Sequence, residues 1–124
     1  MKGSPEEVLK AIPDFEEFTK LAEEISALMY KKLSLDSLIK EGESIVFKVV
    51  STDEQFFQGG KPMSATAIEN TYKHTGVGGE LLPHRQELAK VTADLEGKRL
   101  QYDVYKQFIE VWRTLCSNQR SVSI

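Results

Sequence analysis

The chain is poor in the residues that build reactive centres. It has one cysteine, two histidines, one tryptophan and four prolines. A lone Cys116 forms no internal disulfide, which fits a reducing compartment. His74 and His84 have no second ligand at close helical spacing, whereas a zinc site needs clustered Cys and His. No apolar run approaches the ~20 residues of a membrane span. The opening Met1-Lys2-Gly3-Ser4-Pro5-Glu6-Glu7 lacks the apolar core of a signal peptide, so a cytoplasmic location is expected. Excess positive charge is missing too. A formal net charge of -3 argues against a surface that attracts nucleic acid everywhere, although a local basic patch remains compatible with it. No internal repeat or low-complexity segment is present.

What remains is an ordinary globular mixture, 40% hydrophobic and 28% charged over 124 residues, which suits a single domain spanning 1–124. Ser4-Pro5-Glu6-Glu7 combines an N-cap hydroxyl, Pro at the first helical position and Glu three residues past the cap. The short helix it opens should end near Ile12, because Pro13 disfavours helix before it. Asp14 then caps a second helix with Glu17 in the reciprocal position. Phe15, Phe18, Leu21, Ala22, Ile25, Leu28 and Met29 follow at helical spacing, to about Lys32.

Ser34 offers a cap for a third helix. Ser44 to Val50 has strand-like propensity, but Leu35, Leu38, Ile39, Ile45, Val46, Val49, Phe56 and Phe57 share one helical face. A helix over 35–57 is expected, with a short strand at 45–50 as the alternative. Gln58-Gly59-Gly60-Lys61-Pro62 is the clearest break. Ser64 caps a short helix carrying Ala67, Ile68 and Tyr72, which ends at Thr75-Gly76-Val77-Gly78-Gly79. The longest element follows, over about 81–117, tolerating Pro83 in its first turn and Gly97 at about 1 kcal/mol. Residues 121–124 read as a loose tail.

That last helix carries two apolar stripes. Leu88, Val91, Leu95, Lys98, Tyr102, Tyr105, Ile109, Trp112 and Cys116 form a heptad seam of coiled-coil type with one polar member. Leu100, Val104, Phe108, Val111 and Leu115 lie beside it, so the helix should be covered on several sides. At 1.5 Å per residue, some 35 residues span ~50 Å, against a radius of gyration near 13–14 Å for a compact domain of this length. The expected fold is all-α, a helical hairpin or bundle with a long C-terminal helix, forming a homo-oligomer through Leu95, Tyr102, Tyr105, Phe108, Ile109, Trp112 and Leu115. A self-contained bundle that fills both stripes with its own helices is the alternative.

No catalytic, cofactor-binding or metal-ligating residue emerges. Gly76-Val77-Gly78-Gly79 follows no hydrophobic strand and precedes no Lys-Ser/Thr pair, so it is a turn and not a phosphate cradle. Cys116 on the apolar seam is a buried thiol. Glu23-Glu24 and Asp53-Glu54 are neighbours that point to different sides of a helix. The chain is read as a non-enzyme. Basic residues do recur: Lys40 and Lys48 lie on the third helix, and Lys61, Lys73, His74, Arg85 and Lys90 flank the two glycine-rich turns near Phe56, Phe57 and Tyr72. Phosphate neutralisation with aromatic stacking suits single-stranded nucleic acid, while Phe56 and Phe57 fit a core better than an exposed platform.

From residue 45 to 120 the order of features resembles the UvsY recombination mediators of T-even bacteriophages. Phe56-Phe57-Gln58-Gly59-Gly60 closes a long helix, and Pro62-Met63-Ser64 opens a short one with Glu69, Tyr72 and Lys73. After a second turn, a long terminal helix carries Leu88, Leu95, Leu100, Tyr102, Phe108, Leu115-Cys116-Ser117 and Arg120. The resemblance implies a ring-like homo-oligomer that binds single-stranded DNA and helps load a recombinase. In that family, basic residues just before the aromatic pair contribute to DNA binding. Here Val49-Val50-Ser51-Thr52-Asp53-Glu54 carries none, and Lys48 stands one turn earlier. The alternative is a helical structural or adaptor protein without DNA binding.

Overall fold

The computed structural model describes residues 4–12 and 14–122. Its elements are helices α1 (Pro5–Ala11), α2 (Phe15–Thr52), α3 (Ala65–Ile68) and α4 (Leu82–Val122), with a 3₁₀ turn at Glu54–Phe56 and a π-helical turn at Glu69–Lys73. The protein is all-α, with a long C-terminal helix packed against others.

The caps follow from local chemistry. The Glu7 N–H donates to Ser4 Oγ at 3.3 Å, and the Glu17 N–H donates to Asp14 Oδ1 at 2.8 Å. Each satisfies a helix N-terminal donor that has no partner within the helix. The Ala67 N–H donates to Ser64 Oγ at 3.2 Å and starts α3 in the same way. Pro13 lies outside the described residues.

Two expectations for the middle of the chain are corrected. A helix ending near Lys32 and another capped by Ser34 are in fact one helix, α2, unbroken over 38 residues. No Gly or Pro interrupts positions 14–41, and a serine inside a helix costs only tenths of a kcal/mol. The core-facing row Leu21, Leu28, Leu35, Ile39, Val46 and Val50 runs straight through the supposed break. The β-branched run at 45–50 is helical because Val46 and Val50, four residues apart, are both buried; packing overrides propensity.

The second correction is at the end of α2, which stops at Thr52 and not at 57. The Ser51 and Thr52 hydroxyls both bond to the Lys48 carbonyl, at 3.1 and 2.7 Å. The Asp53 carboxylate then accepts the Gln55 N–H at 3.1 Å and Gln55 Nε2 at 2.9 Å, which starts the 3₁₀ turn. Such short polar side chains compete with helix continuation. Gly59 and Gly60 have φ of 60° and 78° in the tight turn from Gln58 to Lys61. At the far end, α4 runs on through residues 121 and 122, expected as tail; 123 and 124 lie outside the described residues.

Contacts divide the chain into two compact units, Met1–Leu28 with Asp94–Ile124, and Met29–Ala93. In the first, the start of α2 runs antiparallel to the later part of α4. Phe18 meets Tyr102 edge-on at 5.0 Å between ring centroids and Tyr105 at 6.0 Å, and Lys98 bonds Glu24 at 2.8 Å. Its buried apolar residues are Val8, Leu21 and Leu95. In the second, Val46, Val50, Ile68 and Leu81 form a cluster against which Phe56, Met63 and Tyr72 pack. Phe56 and Tyr72 stand edge-to-face at 5.6 Å. A Cβ on Gly42 would fall 2.6 Å from Leu81 Cδ2, so the glycine lets buried Leu81 lie directly against α2.

Ile68 is 1% exposed and anchors the short α3 to this cluster. Ile68→Ala should lower stability by about 2–5 kcal/mol through lost burial and a residual cavity, read as a drop in urea midpoint with little change in slope.

Candidate functional site

The polar centre of the second unit is Arg85. Its guanidinium bonds Glu43 Oε1 at 2.9 Å, the His74 carbonyl at 2.7 Å and the Lys73 carbonyl at 3.2 Å. The two carbonyls lie at the end of the π-helical turn, where helix acceptors lose their intrahelical partners. A planar guanidinium spreads its donors widely enough to serve all three acceptors. Glu43 also lies 4.0 Å from Lys73 Nζ, which is 4.0 Å from Glu69 as well. Arg85 and Lys73, both expected as nucleic-acid contacts, are thus engaged within the fold.

Lys40, Lys48, Lys61 and Lys90 are different. All four are exposed and form no ion pair among the described residues. Lys40 borders an open groove with Glu43, Ser44 and Phe47 of α2 and with Ile68, Glu69 and Lys73. Lys40, Ser44 and Phe47 stand at i, i+4 and i+7 and so share a helical face. Phe47 is 41% exposed, a large aromatic surface beside an unpaired ammonium. The aromatics singled out from the sequence lie elsewhere: Phe56 and Tyr72 pack against the core, and Phe57 is half-buried. Phe47 was missed, although its position falls outside the apolar row of α2.

The residues expected at an oligomer interface also divide. Leu95 is 2% exposed and belongs to the chain's own core. Tyr102 and Tyr105 lie against Phe18, and Phe108, Ile109, Trp112 and Leu115 are half-buried. The uncovered part of the second stripe is Leu100, 67% exposed, and Val104. Cys116 is a free, half-buried thiol.

Among the described residues no group of three or more His, Cys, Asp or Glu converges as a metal site, and no helix is long and apolar enough to cross a membrane. Comparison with protein-family models, curated proteins and solved structures finds no match to this chain.

Three carboxyls are held below their ordinary value of 4.5: Glu24 by its hydrogen bond to Lys98, Glu87 by that to Lys31, and Glu80 by its own backbone N–H and those of Gly78 and Val77. Lys98 is raised in turn by Glu24. A carboxyl depressed in the folded state contributes stability above its unfolded value and loses it as pH falls through the folded one. A raised lysine contributes fully below its unfolded value and loses that contribution as pH rises through the folded one. The melting temperature should therefore hold steady near neutrality and decline below about 4.5. In Glu80→Gln the acid decline should be shallower and begin from a lower neutral-pH melting temperature. Arg85→Lys cannot reach all three acceptors and should cost about 1–3 kcal/mol, checked by denaturant titration.

Proposed function

We propose that the chain is a non-catalytic, self-assembling accessory protein of the recombination-mediator kind, which binds single-stranded DNA and assists recombinase loading. The observation that carries this is the exposed Phe47 ring beside Lys40 on the free face of α2. A base stacks on an aromatic face whatever its identity, while a nearby ammonium neutralises phosphate; this pairing is sequence-tolerant and suits single strands. The flanking Lys61 and Lys90 supply further exposed positive charge. The order of features shared with UvsY-type mediators supplies the recombinase and the assembly. The exposed Leu100 and Val104 of α4 give that assembly an apolar contact.

A second reading is a helical adaptor or structural component without DNA binding. It is favoured by the engagement of Lys73 and Arg85 within the fold and by the formal net charge of -3.

Fluorescence anisotropy with a labelled oligothymidylate separates the two. Binding should weaken with salt, and Lys40→Ala should lower the slope of log K against log salt by about 0.7. Phe47→Ala should weaken binding by about 1–3 kcal/mol with the slope unchanged. A flat titration at low salt would leave the adaptor reading standing.

A further inference from the structure

A second exposed apolar row lies on α2, on the opposite side of the core-facing row from Phe47. Leu38, Ile45 and Val49 are 44%, 55% and 39% exposed. With Gly42 they follow steps of four, three and four residues, the spacing of a coiled-coil seam. Leu38, Glu41, Gly42 and Ile45 stand at i, i+3, i+4 and i+7, the four-residue outline of a hole that accepts a knob from a facing helix. The same four residues line an open groove whose other wall is Glu80, Leu81 and His84. At Gly42 its floor is closed by the Leu81 side chain, whose Cδ2 would lie 2.6 Å from a Cβ at that position.

The seam's two edges differ. On one, Ile39 and Val46 are buried in the chain's own core. On the other, Glu41 and Lys48 are exposed and form no ion pair among the described residues. Seven residues separate them, so they occupy equivalent positions in successive heptads. When two copies of this segment pair antiparallel, Leu38 faces Val49 of the other copy and Gly42 faces Ile45. The same register brings Glu41 opposite Lys48 twice, once on each side of the two-fold axis. Charge complementarity of this kind is self-matching only in the antiparallel arrangement, as an isologous contact requires. Across the groove, the Glu80 carboxylate is already engaged by the Val77 and Gly78 N–H groups at 3.0 and 2.6 Å.

We propose that residues 38–49 of α2 form an isologous antiparallel contact with the same segment of a second copy of the chain. Ile45 of each copy enters the groove of the other between Leu38 and Leu81, and paired Glu41–Lys48 bridges fix the register. This contact is separate from the Leu100 and Val104 stripe of α4 and does not depend on DNA binding.

Sedimentation of the full chain across a micromolar concentration series tests it. Glu41→Lys and Lys48→Glu each place like charges opposite one another and should weaken self-association roughly tenfold. An equimolar mixture of the two variants restores opposite charges at both bridges, and should associate as tightly as the wild type. Ile45→Asp should abolish the contact, with helical circular dichroism retained. Lys40→Ala/Phe47→Ala, which removes the ammonium and ring that carry the DNA reading, should leave self-association unchanged, so the two proposals fail separately. A wild-type chain that stays single, a Glu41→Lys variant that associates normally, or a mixture that recovers nothing would each overturn the proposal.

Discussion

Much of the second unit is organised around the guanidinium of Arg85. The π-helical turn at 69–73 ends in carbonyls that the helix itself does not satisfy, and Arg85 supplies donors to two of them while holding Glu43. Three elements are thereby tied through one side chain: α2 by its carboxylate, the turn by its backbone, and α4 by the arginine itself. Unpartnered polar groups at helix ends are costly when shielded from water. The apolar cluster of Val46, Val50, Ile68 and Leu81 supplies hydrophobic burial beside this clamp, while the directional bonds specify how the segments meet.

That arrangement also sorts the basic residues. A lysine or arginine already bonded inside the fold is poorly placed to neutralise a phosphate, whereas Lys40 keeps its charge facing solvent beside the Phe47 ring. The sides of α2 then divide between tasks. One faces the core, one presents ammonium and aromatic groups, and one carries an apolar seam edged by Glu41 and Lys48. Such a division is available to a helix contacted by its own chain along part of its circumference.

A good part of this was legible in the sequence. The caps at Ser4, Asp14 and Ser64 and the glycine turns at 59–60 and 76–79 were set by local chemistry, which acts over three or four residues and reads directly. The all-α class followed from the helical spacing of apolar residues. The continuity of α2 was not read, because Ser34 has cap chemistry that a helix interior also tolerates. The end at Thr52 was not read either: the hydroxyls of Ser51 and Thr52 act together with Asp53, and the apolar row continues to Phe57. The six candidate basic residues could not be sorted from composition, since Arg85 becomes structural through Glu43, 42 positions away, and through the Lys73 and His74 carbonyls.

The π-helical turn has a further consequence. It amounts to an ordinary helix carrying one inserted residue. Its wider turn leaves backbone carbonyls without partners in the helix, and those of Lys73 and His74 are the ones that Arg85 meets. The clamp therefore grips main-chain atoms at this end and a single carboxylate at the other: a substitution within 69–73 leaves those carbonyls in place, while replacing Glu43 releases the hold on α2.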